Sequence, residues 1–359
     1  MSTLGKSGKS GKSGKSGKSG KSAETGKSGD TDHAGGAAST NLSFALTTTR
    51  DGIVGYWDGT PAKKLSGDFK NAVPADIGYL LPSTRTHVID HELQNLAVVT
   101  GEDGRALIKV GGKTLEVVRP EDSLFNDQIA QVQTFADLRG DRLAEIIEQI
   151  DDLLSFFGAL AYVDEQRKGR LLELLNATIR LAQSIEMPVK HYCHALRPCD
   201  LDPRVHAIIQ TPDHSAFPSG HACESFAVAT VMTRVEFDED PLTAMDGITS
   251  AGTAGSISRG HLAFRIAHRI AENRTVAGVH FPVDSLVGAA LGVFVGALVC
   301  GAIGKPLDIK FKGKLEAVSA KEDFTLQSVK NALEGDTEFA VESPPPLLTA
   351  FFNAPAHAA

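Results

Sequence analysis

Asn273-Arg274-Thr275-Val276-Ala277-Gly278-Val279-His280-Phe281-Pro282-Val283-Asp284 runs directly into residues 285–304, which hold no charged side chain. That apolar stretch is long enough to cross a bilayer, and Gly288, Gly292 and Gly296 lay a stripe of small residues along it for close helix packing. No other segment combines such length with so little charge, and the helical segments before it carry charged outer faces suited to water. The expectation is a central helix of a soluble helical bundle, with membrane contact through 285–304 as the alternative. Pro282 suits the first turn of that helix, so Asp284 falls near its N-terminus and within reach of His280. A carboxylate that accepts one imidazole N–H fixes the tautomer and leaves the other nitrogen free to attack. A His and an Asp four residues apart also occur as incidental surface pairs, so this segment decides nothing by itself.

Working outward, two further segments concentrate basic residues, glycine and histidine. Lys190-x6-Arg197-Pro198 places Lys190 and Arg197 two helical turns apart on nearly one face, with Pro198 ending the helix. Arg offers a planar fork to phosphate oxygens and Lys a point charge, although such pairs are more often a solvated stripe. Pro218-Ser219-Gly220-His221 precedes the apolar run 226–231 and has the form of a turn opening a helix. A helix N-terminus presents free N–H groups to an anion; Gly220 permits close backbone approach, Ser219 adds a hydroxyl, and His221 transfers protons near neutral pH. The plain alternative makes Ser219 a helix cap and His221 a satisfied residue of the first turn.

Together, Lys190-x6-Arg197-Pro198, Pro218-Ser219-Gly220-His221 and Arg274-x5-His280-x3-Asp284 resemble the three signature segments of the type 2 phosphatidic acid phosphatase and vanadium haloperoxidase superfamily, across about residues 119–304. The one departure is Asn273, where the family has Ser. The resemblance implies that Lys190, Arg197 and Arg274 clamp an oxyanion, aided by Ser219 and the Gly220 amide. It makes His280 the nucleophile, oriented by Asp284, and His221 the general acid and then the base that activates water. It implies a metal-independent phosphoric-ester hydrolase working through a phosphohistidine, with no cofactor and a small phosphoester substrate. The alternative it leaves open is a vanadium-dependent haloperoxidase, in which vanadate is bound through His280 and halide is oxidised with hydrogen peroxide. Lack of a signal peptide and the single long apolar segment favour the soluble haloperoxidase-like branch, with either chemistry.

Composition sets the frame for these motifs. Apolar residues form 42% of the chain and charged residues 22%, which supports a sizeable core. Seven lysines against Glu24 and Asp30 give residues 1–30 a charge of +5 and leave −13 on the rest of a chain whose total is −8. An acidic body disfavours a nucleic-acid partner, because phosphate backbones need a basic patch. Cys193, Cys199, Cys223 and Cys300 form no Cys-x-x-Cys pair and are expected as reduced thiols, a Cys193–Cys199 bridge or a metal site being the less favoured alternative. No apolar run follows the N-terminal lysines, so a cytoplasmic location is expected, or membrane association through 285–304.

Four regions follow. Residues 5–22 are six Gly-Lys-Ser triplets, and 1–40 is expected as a disordered tail. Residues 41–118 are expected as a small β-rich appendage: short apolar runs alternate with Asp-Gly and Gly-Gly turns, most clearly at 96–100, 106–110 and 115–118. Residues 119–310 form the helical catalytic domain. Within it Leu143, Ile146, Ile147, Ile150, Leu153, Leu154 and Phe157 mark one amphipathic helix, 171–185 a second and 261–273 a third, with a long loop over 232–260. Residues 311–359 are expected as a loose tail. The fold class is thus mainly α, a helical bundle with a small β-rich N-terminal appendage.

Overall fold

The computed structural model describes residues 77–247, 258–316 and 323–354, together with Thr49. The tail expected at 1–40, most of the region 41–76 and the loop segment 248–257 lie outside the described residues.

The chain is mainly helical, and its centre is α10 (Pro282–Ala302). All but one of its residues are buried, and Leu291, Phe294 and Val295 are sealed completely. Each such side chain contributes roughly 1.5–3 kcal/mol by leaving water. Along one side lies α7 (Gly220–Val235), and the small-residue stripe explains how close it comes. A Cβ at Gly288 would strike the Ser219 carbonyl, and one at Gly292 the Cys223 carbonyl. This helix alone among the described residues is long and apolar enough to cross a membrane, and 94% of its apolar window is covered by the protein itself.

Against α7 pack α9 (Arg259–Val276) and the long α5 (Glu165–Cys193). Asp164 caps α5 by accepting the Gln166 and Arg167 amides, and the helix is interrupted at Lys168 before running on to His194, whose left-handed backbone ends it. The sheet leans on the same helix: β1 (Val98–Glu102), β2 (Arg105–Val110) and β3 (Lys113–Val118) form an antiparallel meander. Ala106, Ile108, Leu115 and Val117 turn inward to join the helical core, as their period-two spacing requires. A fourth strand, β5 (Lys314–Leu315), adds parallel to β3, and β4 (Lys310–Phe311) pairs with β6 (Thr337–Glu338).

Several expectations are corrected. Within the region read as β-rich, 82–94 is a helix, α1 (Pro82–Gln94). Only Ile89 and Leu93 of it are buried, and ion pairs Arg85–Glu173 and Arg180–Asp90 hold it to α5, so apolar periodicity could not reveal it. After α2 (Asp122–Phe135), the single helix expected over 143–157 is two, α3 (Arg139–Glu148) and α4 (Leu154–Ala161). Asp152 is the cause: its carboxylate accepts the Ser155 amide at 3.0 Å and starts a new helix. Ile146, Leu153, Leu154 and Phe157 face inward as expected, whereas Leu143, Ile147 and Ile150 are exposed. Short helices α6 (Pro198–Leu201) and α8 (Pro241–Met245) occupy connections, and α7 continues to Val235 into the span read as loop.

The C-terminal segment is not loose over its described part. α11 (Leu326–Leu333) and α12 (Pro346–Asn353) bury Val329, Leu333, Leu348 and Phe351. Asn353 donates to the Ile303 carbonyl at 2.6 Å, and His268 stacks on Phe324 at 4.5 Å. Thr325 and Ser328 cap α11 reciprocally.

Candidate active site

The three basic segments meet where α5 and α9 end and α7 and α10 begin. Lys190 lies in the last turn of α5 and is 1% exposed, donating to the carbonyls of Ser215, at 3.3 Å, and Pro218. Arg197 is not on that helix, contrary to the two-turn spacing argument. The left-handed His194 ends α5, and the residue before Pro198 is held extended, so Arg197 lies in the link leading into α6. Its side chain nevertheless turns inward and is buried, donating to Val279 O and His214 O at 3.0 Å each.

Ser219 stands at the N-cap position of α7 without capping it, and its hydroxyl is buried with no partner among the described residues. Gly220 is needed for packing: a Cβ there would lie 2.6 Å from Glu186 Oε1. His221, in the first turn, places Nε2 3.0 Å from the Gln149 carbonyl. The Ser219 amide donates to Asp284 O at 2.9 Å, which ties the start of α7 to the start of α10.

The third segment is organised by Gly278, whose φ of +80° turns the chain after α9 and whose missing Cβ makes room for Arg139. Pro282 then opens α10 and puts Asp284 in its first turn. Asp284 Oδ2 accepts the Phe281 amide at 2.8 Å and faces His280 Nδ1 at 3.2 Å. Arg274, at the end of α9, is 1% exposed and gives NH2 to the Ile146 carbonyl at 3.1 Å and to Gln149 Oε1 at 2.9 Å. Its Nε and NH1, Arg197 Nε and Asp284 Oδ1 are buried without partners among the described residues. Donors in that state cost stability unless something accepts from them, as an oxyanion would.

Burial and the clustered positive charge dominate the titration. His280 is held well below its ordinary value, first by burial and then by Arg197 and Lys190. His221 is lowered by burial and by Arg274, its bond to the Gln149 carbonyl opposing this. Burial pushes Asp284 up to about 7 and brings Arg274 down to about 10. Burial lifts Glu186, one turn before Lys190, to about 7 against the pull of the lysine.

Two residues here were missed from the sequence. Glu186 is a buried carboxyl behind Gly220 whose Oε2 has no partner among the described residues, and Gln149 is 1% exposed against His221 and Arg274. The spacing of Glu186 and Lys190, four apart on α5, was available as a signal. Nothing local marks Gln149. All four cysteines are free thiols, Cys193 and Cys199 included.

With this geometry in view, residues 171–306 match the PAP2 superfamily model. Proteins named decaprenylphosphoryl-5-phosphoribose phosphatase, from two strains of Mycobacterium tuberculosis, are 28% identical to it over 147 residues, which is 41% of this chain and 68% of theirs. A solved transmembrane PAP2 type phosphatidylglycerolphosphate phosphatase from Bacillus subtilis overlaps 62% of this chain and 86% of its own, at 15% identity and a TM-score of 0.27.

Proposed function

We propose that this protein is a metal-independent phosphoric-ester hydrolase that works through a phosphohistidine on His280. The observation that carries the reading is the set of buried, unpartnered donors on Arg274, Arg197 and Ser219 gathered around a histidine that already has its carboxylate. The Mycobacterium tuberculosis relatives are named as phosphatases, which supports hydrolysis over the oxidoreductase alternative.

Asp284 Oδ2 keeps the proton of His280 on Nδ1, so Nε2 presents a lone pair to phosphorus. The depressed affinity of His280 for protons keeps it neutral near pH 7, as a nucleophile must be. Lys190, Arg197 and Arg274 stabilise the equatorial oxygens as the phosphorus–oxygen bond to the leaving group breaks and the nitrogen–phosphorus bond forms. His221 gives a proton to the departing oxygen, then takes one from the water that releases phosphate and frees His280. Burial, and then the charge of Arg274, hold the His221 pKa low. Bound phosphate offsets that positive charge, so His221 acquires its proton in the complex, where an acid is required.

The test is hydrolysis of p-nitrophenyl phosphate in the presence of EDTA, beside halide oxidation with vanadate and hydrogen peroxide. The reading requires phosphate release that survives chelation and disappears in His280→Ala. Halide oxidation without phosphate release would replace it with the haloperoxidase.

A further inference from the structure

Gln149 lies just past the end of α3, 125 positions before Arg274 and outside the segment matched by the superfamily. Yet its carbonyl receives His221 Nε2, and its side-chain Oε1 receives both Arg274 NH2 at 2.9 Å and Asn273 Nδ2 at 3.0 Å. Asn273 is the motif's one departure from the family pattern. Here its Oδ1 also accepts from Arg142 NH1 at 3.2 Å. Arg142 in turn pairs with Glu272, so α3 is fastened to α9 beside the pocket.

From this geometry we infer that Gln149 is a positioning residue of the site: it aims Arg274 at the oxyanion and fixes His221, with Asn273 as the strap that holds Gln149 in place. The inference rests on the hydrolase reading for the name of the reaction, and on the oxyanion clamp alone for its test.

The physical case is one of donor accounting. A guanidinium has five N–H donors in a rigid plane, so binding NH2 to two fixed acceptors, Ile146 O and Gln149 Oε1, sets the direction of the rest. Nε and NH1 are those left without partners among the described residues. An amide oxygen suits this task better than a carboxylate, which would cancel the charge the clamp needs. At His221, an accepting carbonyl keeps a proton on Nε2 and leaves Nδ1 as the nitrogen that exchanges protons with substrate.

The experiment is a double-mutant cycle on the full chain, read by vanadate titration and by kcat and KM on p-nitrophenyl phosphate. Gln149→Met keeps length and removes the acceptor. It should weaken vanadate binding about tenfold and lower kcat by a similar factor, with KM changed less than about twofold, because an aimed donor acts chiefly on the transition state. In an Arg274→Ala background the same substitution should change vanadate affinity by less than about twofold, since there is no guanidinium left to aim. Asn273→Ala should show the same pattern, and serves if Gln149→Met does not fold by circular dichroism. Equal losses in both backgrounds would make Gln149 a structural residue only. Tighter vanadate binding in Gln149→Met would show that its oxygen competes for the clamp, and would equally overturn the inference. Vanadate binding with this coupling but no phosphate release would instead sink the hydrolase reading and leave the role of Gln149 standing.

Discussion

The two histidines of the pocket are held by different kinds of structure. His280 is held by Asp284, four residues on, across the turn that opens the buried helix α10. His221 is held by a main-chain carbonyl 72 residues earlier, at the end of α3, a helix with Leu143 and Ile147 exposed on its outer side. The first arrangement is local and rigid, built on backbone that cannot move without opening the core. The second depends on how a peripheral helix docks.

The largest effect separating the two sides is expected at His280. His280→Ala should lower turnover by on the order of 1000-fold or more, because a lost nucleophile leaves only binding and electrostatic stabilisation. The thermal midpoint should move little, and retention of about a tenth of wild-type activity would remove His280 from that role.

Asp284→Asn comes next, with a fall in turnover of roughly 100-fold, since the amide can hold the wrong tautomer of His280. The same variant carries a stability signature. Asp284 has a folded value of about 7 against an ordinary 3.8, so the folded state keeps the proton longer and stability falls as pH rises through that window. Asn removes this contribution, and thermal unfolding followed between those pH values should show a shallower decline than in the wild type. An equal or steeper decline would mean that Asp284 is not a buried, desolvated carboxyl.

Two glycines give the smallest effects, with opposite signs. Gly292→Ala drives a methyl into the Cys223 carbonyl across the α7–α10 contact and should cost about 1–3 kcal/mol. Gly140→Ala on α3 meets nothing within 4 Å and should stabilise by up to about 1 kcal/mol through helix propensity. Thermal midpoints moving the same way in both would erase the contrast between a tightly packed centre and a loosely covered edge.

What was legible in the sequence follows the same division. The charge-free run at 285–304, the Pro282 start and the i, i+4 pairing of His280 and Asp284 are local signals, and α10 is built on them. The meander of β1 to β3 was legible from its turn glycines and alternating apolar residues. Arg197 shows a limit: its residue type pointed to the pocket, but the helix assumed to carry it ends at His194. Gln149 was illegible because its carbonyl is common to every residue type, and its amide acquires meaning only once α3 docks beside Arg274. The packing of α11 and α12 was hidden for a related reason, since a few buried residues such as Leu333 and Leu348 make too sparse a pattern to announce a core contact.

The central claim is that Lys190, Arg197 and Arg274 converge with His280 on one oxyanion. Vanadate adopts the five-coordinate geometry of phosphoryl transfer, so calorimetric titration of the purified protein with vanadate tests that claim most directly. The wild type should bind it in competition with phosphate, and Arg274→Ala should bind it at least tenfold more weakly, about 1.4 kcal/mol, through loss of one charge-assisted fork. No binding by the wild type, or unchanged affinity in Arg274→Ala, would contradict the convergence of the three segments.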